Sequence, residues 1–108
     1  MAQTAQTAME SWATESGKGY ELGTKAKLNA IEPAINITAG TSEPTLEETT
    51  LAGVAATVPS ESEYSITVEA NNTKDKYTIH RATSGAVTHT CTSPGTGCPG
   101  HAASSTYW

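Results

Sequence analysis

A single stripe limits what this chain can become. Over Ala2–Gly19 (AQTAQTAMESWATESGKG), Ala5, Met9 and Trp12, continued by Ala13 or Ser16, recur at steps of three and four and fall on one side of an α-helix, while Gln3, Thr7, Glu10 and Thr14 fall elsewhere. Gly17 and Gly19 end the pattern. No other segment of the 108 residues carries so long a helical apolar face, so a sheet formed downstream must take its cover from this helix. The pattern is already running at Ala2, as in the second half of a longer helix.

Thr24–Ile31 (TKAKLNAI) reads as a short second helix, with Thr24 as its N-cap and Ala26, Leu28 and Ile31 at helical spacing. Pro33 moves Glu32 away from helical angles and ends it. Asn36–Thr50 reads as a loop around Gly40 and Pro44, made acidic by Glu43, Glu47 and Glu48. Those carboxylates lack the alternating ligands and turn glycine of a calcium loop, so a solvated acidic loop is expected.

From residue 51 the period becomes two. Leu51–Val58 is a small-residue strand closed by Pro59. Tyr64, Ile66 and Val68 then alternate with Ser65, Thr67 and Glu69, one face buried and the other wet. Asn71–Asp75 makes a polar turn, Tyr77 and Ile79 alternate with Thr78 and His80, and Thr83-Ser84-Gly85 turns the chain again. Val87, His89 and Cys91 alternate with Thr88 and Thr90 in a last strand. The expected fold is α+β, an N-terminal α-helix packed against a small antiparallel sheet in one domain, 1–108. Its parts are the helix (1–19), a helix-to-sheet connection (20–50), the sheet (51–91) and a Cys-bounded terminal region (91–108).

Charge and motif content exclude several functions. A net charge of −5, with one arginine and five scattered lysines, is the wrong balance for a phosphate-backbone partner, so no nucleic acid is expected. No apolar run is long enough to span a bilayer, and Met1 is followed by polar residues and alanines rather than a basic segment and an apolar core. Abundant Thr and Ser with sparse charge fit an exported surface protein, whose export signal would then precede Ala2. There is no G-x-S-x-G elbow and no glycine-rich phosphate loop. His80 falls on the wet face, His89 adjoins Cys91, and His101 sits in a Gly/Ala/Ser tail. A non-enzyme with no catalytic residue, cofactor or metal is expected. Asn36-Ile37-Thr38 and Asn71-Asn72-Thr73 fit the N-x-S/T acceptor pattern, which in so Thr-rich a chain indicates only surface loops.

The two cysteines, Cys91 and Cys98, flank a Pro/Gly loop (CTSPGTGC). In an exported chain this reads as a disulfide that pins the terminal tail to the sheet and contributes about 2–3 kcal/mol by the chain-entropy model. The competing reading groups His89, Cys91, Cys98 and His101 as four zinc ligands, against which stands a spacing that fits no standard knuckle.

The order of these parts resembles the soluble domain of a type IV pilin or pilin-like protein. Ala5–Tyr20 resembles the junction of the pilin spine helix with its head, and Leu28–Pro33 the segment that follows. Tyr64–Val68, Tyr77–Ala82 and Ser84–Val87 resemble the head strands, and Cys91–Trp108 the disulfide-bounded terminal region. The family's cleavable leader and long apolar half-helix do not occur in these residues. The resemblance implies an extracellular filament subunit, held in the cytoplasmic membrane before assembly by an apolar half-helix ahead of Ala2. Its partners would be other pilin subunits and the assembly machinery. Met9 and Trp12 would hold the sheet, and Ala5 would continue the stripe toward that missing half. The alternative is a secreted β-rich module binding a glycan or protein through Tyr107, Trp108 and the polar sheet face.

Overall fold

The computed structural model describes residues 2–38, 44–51, 59–70, 74–92 and 104–105, the last pair as backbone only. Helix α1 spans Ala2–Ser16. Alanine at four of its positions and the absence of Gly and Pro favour it intrinsically. Its threonines bond back to their own helix, Thr7 Oγ1 to the Gln3 carbonyl (3.1 Å) and Thr14 Oγ1 to that of Glu10 (3.2 Å). The helix stops as expected, with Gly17 and Gly19 at φ +70° and +62°. Gly19 is needed twice over, because a Cβ there would collide with the Glu61 carbonyl that accepts the Tyr20 N–H.

A tight turn leads to α2, Lys25–Ile31. Thr24 is its N-cap, accepting the Lys27 N–H on its hydroxyl at 3.4 Å, and Glu32 leaves the helix at φ −129°, ψ 91° just before Pro33. Both ends agree with the sequence reading.

The sheet has four main strands, β1 (Thr45–Thr50), β2 (Tyr64–Ala70), β3 (Asp75–Arg81) and β4 (Val87–Thr92), and a two-residue β5 (Ser104–Ser105). Strand order follows chain order and every pairing is antiparallel. The molecule is therefore α+β, with the expected meander. The register aligns Leu46, Val68, Tyr77 and Cys91 in one row and Thr49, Ile66, Ile79 and His89 in the next, on the face that meets the helices. Helix α1 packs on β2 and β3, and α2 packs on β1. The core between them is built from Ala5, Ala8 and Met9 of α1, Leu28 of α2, Ile35, and Leu46, Tyr64, Ile66, Val68 and Ile79 of the sheet. Burying an aliphatic side chain of this size stabilises by about 1.5–3 kcal/mol.

The structure corrects the expected sheet in three places. Residues 45–50, expected as the end of an acidic loop, form β1. Leu51, expected to open a strand, lies in a bend after β1, and residues 52–58 fall outside the described residues. Asp75, assigned to the turn, is the first residue of β3 and is buried opposite Ala70. The rest of that turn, residues 71–73, lies outside the described residues, whereas the Thr83-Ser84-Gly85 turn forms as expected, with the Gly85 N–H donating to the Ala82 carbonyl at 2.9 Å.

Burial also departs from strict alternation. Ser65 and Thr67, placed on a wet face, are buried because β2 is central and their short side chains sit between Thr50 and His80, and between Glu48 and Thr78. Val87, placed on the inner face, is 43% exposed, because α1 covers β2 and β3 and the start of β4 lies beyond it.

Candidate functional site at the helix-to-sheet seam

Of the three helix residues expected to face the core, Ala5 and Met9 are fully buried. Met9 meets backbone: a Cβ placed on Gly23 would sit 2.6 Å from its sulfur and 3.0 Å from the Tyr20 carbonyl, so only glycine lets the turn pass this close to α1. The Gly23 carbonyl in turn accepts the buried Thr49 hydroxyl of β1 at 2.7 Å. Helix, turn and edge strand thus form one continuous contact.

Trp12 is only half-buried. Its indole N–H donates to the Glu21 carbonyl at 3.0 Å, and the Lys27 ammonium lies 5.6 Å from the ring centroid. It closes the outer end of the seam rather than filling the core. Ala2 and Ala8, which the stripe Ala5/Met9/Trp12 does not emphasise, are buried beside it.

One residue of the seam escapes the sequence reading. Glu10, assigned to the polar side of α1, reaches back over the edge of the stripe and accepts the Tyr20 hydroxyl at 2.8 and 3.0 Å and the Tyr64 hydroxyl at 3.4 Å. The two rings meet edge to face with centroids 4.6 Å apart. Above Tyr20 lies the Arg81 guanidinium, 5.1 Å from the ring centroid, which also donates to the Ser62 carbonyl at 2.8 Å. One carboxylate on α1 therefore collects a hydroxyl from the following turn and one from β2, and β3 contributes the cation.

Burial, with the charge of Glu10 adding to it, pushes the Tyr64 phenol up to about 12; Tyr20 is raised by burial first and by its hydrogen bond to Glu10 second. Both hydroxyls stay protonated at neutral pH and act as donors to Glu10.

The opposite face of the sheet carries paired charges. Lys76 donates to Glu47 at 3.0 Å across β2, a hydrogen bond that raises the lysine pKa, and the His80 Nε2 lies 2.9 Å from the Glu63 carboxylate. Two of the three carboxylates expected in a solvated acidic loop, Glu47 and Glu48, are thus on β1, and Glu43 lies outside the described residues. Among the described residues no three His, Cys, Asp or Glu side chains gather to hold a metal ion.

Cys91 is buried in the inner row of β4, with His89 two residues before it on the same face. Cys98 and His101 lie outside the described residues, and so do Tyr107 and Trp108. Among the described residues no helix is long and apolar enough to cross a membrane. The chain matches no family model, no curated protein and no solved structure.

Proposed function

We propose that this chain is the head domain of an extracellular filament subunit of the type IV pilin kind, a structural protein rather than an enzyme. The observation that carries the reading is the seam. Helix α1 is fastened to an antiparallel meander along its length, by the Ala5, Ala8 and Met9 stripe and by the Glu10 carboxylate on Tyr20 and Tyr64. A helix held in this way transmits force along its axis into the sheet.

In this function an apolar half-helix preceding Ala2 packs against those of neighbouring subunits in the filament core, while the head supplies the outer surface. The same segment is the membrane contact before assembly, and the assembly machinery is the other partner. No cofactor takes part, and the net charge of −5 disfavours nucleic acid. A disulfide between Cys91 and Cys98 fastens the terminal loop to the buried end of β4; two titratable thiols in the denatured, non-reduced chain would refute it.

Immunogold electron microscopy of the producing cells, with antibodies raised against this chain, tests the reading. Gold is expected in rows along surface filaments and is expected to disappear on deletion of the gene. Unlabelled filaments, with the chain recovered entirely from the medium as free protein, would contradict it and favour a secreted binding module.

A further inference from the structure

Among the described residues two large apolar side chains are exposed, and one of them, Leu22 (52%), sits on a backbone that does not suit it. Its φ is +62°, in the left-handed region that a bulky side chain seldom adopts. The turn around it is held on every side. The Gly23 N–H donates to the Tyr20 carbonyl (3.0 Å) and the Thr24 N–H to the Leu22 carbonyl (2.8 Å). Before the leucine, the Glu21 carbonyl accepts the Trp12 indole; after it, the Gly23 carbonyl accepts Thr49. Glycine would relieve the backbone, yet the position presents a leucine outward on a rigid mount.

Elsewhere on the same chain lies a cleft between α1 and the end of α2. It has a volume of about 230 Å³ and is lined by Thr4, Thr7, Ala8, Ser11, Ile31 and Glu32. That is below the roughly 300–1,000 Å³ of pockets that enclose whole small ligands, and it suits one side chain. Ile31 and Ala8 are its apolar lining residues, and Glu32 is its one charged residue. The chain on either side of Leu22 is oppositely charged: residues 18–27 carry Lys18, Lys25 and Lys27 against Glu21 alone, with the Lys25 ammonium on the Glu47 carbonyl (3.3 Å) and that of Lys27 over the Trp12 ring.

We propose that Leu22 of one copy inserts into the α1/α2 cleft of a second copy, with the lysines around it facing Glu32. Knob and cleft are different surfaces, so the contact is head-to-tail and leaves one of each open for a further copy. Leu22 lies just ahead of the first residue of α2 and the cleft lies at its last, so the two are separated along α2 by about the rise from Lys25 to Ile31, roughly 9 Å. Neighbours therefore stand side by side with a stagger along the helix axis, an open arrangement that extends into a fibre. The contact deepens the filament function on which it rests, giving the heads a lateral bond of their own.

Sedimentation velocity of the full chain, from micromolar to about 1 mM, tests this with two variants. The unaltered chain should associate beyond the dimer as concentration rises. Leu22→Gly removes the knob, and Thr7→Trp fills the cleft from an exposed position; each alone should weaken association at least tenfold. Leu22→Gly should melt no lower than the parent, which separates a lost contact from a lost fold. Mixed together, the two variants should form a dimer and nothing larger, because one retains the cleft and the other the knob. A parent that stays monomeric, variants that associate like the parent, or a mixture that does not recover would each overturn the proposal. In cells, filaments that persist in Leu22→Gly overturn this contact and leave the filament function standing. Absence of labelled filaments from the parent strain overturns that function and leaves the solution result to be judged alone.

Discussion

The two faces of this sheet share every strand and every register, yet they are held by different physics. On the inner face, Met9, Leu28, Ile66 and Ile79 are removed from water, and the two tyrosine hydroxyls of the seam converge on one carboxylate. On the outer face the rows are Glu48, Thr67, Thr78 and Thr90, and Thr50, Ser65, His80 and Thr88. There the contacts are a hydroxyl pair between Thr67 and Thr78 (3.3 Å) and ion pairs such as Lys76–Glu47 at the edge of solvent. Burial stabilises by kilocalories per side chain, whereas exposed ion pairs contribute from nothing to about 1 kcal/mol. Stability is thus weighted to one side: the helix face buries the large apolar side chains, and the outer face, where the short side chains of Thr50, Ser65 and Thr67 are buried, adds small polar contacts.

That contrast can be broken at several points. Met9→Asp places a charge in the seam against Gly23 and should cost at least about 4 kcal/mol in urea unfolding, a large part of the roughly 5–15 kcal/mol that holds a native domain. Alkali attacks the same seam through Tyr64. Its folded pKa, about 12, lies above the unfolded value of about 10, so the folded state binds the extra proton in that window. The contribution is complete below pH 10 and is lost as pH rises through 12, a fall of about 2–3 kcal/mol, to which Tyr20 and Lys76 add in the same direction. Tyr64→Phe should flatten the pH profile measured by thermal unfolding.

Smaller effects follow in order. Glu10→Ala leaves two tyrosine hydroxyls without their acceptor and should cost about 2 kcal/mol, although the residue lies on the exposed side of α1. Trp12→Ala should cost about 1–2 kcal/mol, less than a fully buried tryptophan, because part of the ring is already in solvent. A loss as large as that of Met9→Asp would move Trp12 into the core and redraw the seam. Lys76→Met on the outer face should change stability by less than about 0.5 kcal/mol; a larger loss would end the one-sided account.

What the residues reveal by themselves is what repeats. Tyr64, Ile66 and Val68 alternate without a break, and Thr24 and Pro33 bracket α2 with their own local chemistry, so pattern alone marks these elements. Strand β1 is not marked, for a physical reason: its register slips between Leu46 and Glu48, where the extra residue breaks the alternation and leaves a Glu-Glu doublet in the middle. Its strand character comes from pairing with β2, whose residues lie well downstream in the chain. Glu10 is hidden differently. Helical periodicity assigns it to water by its Cα direction, but a glutamate side chain reaches across the stripe edge to tyrosines 10 and 54 positions away. Leu22 is invisible for want of its φ angle, since no residue pattern marks a leucine held in the left-handed region.

If the helix and the sheet form one mechanical unit, they must open together. Native-state amide hydrogen exchange measures this residue by residue. Amides of Met9 to Trp12 on α1 are predicted to exchange with the same opening free energy as those of Ile66 and Ile79, all of them slower than Thr88 at the uncovered start of β4. Exchange in α1 that runs orders of magnitude faster than in β2 and β3 would mean that the helix leaves the sheet on its own, and a filament head could not then be carried by it.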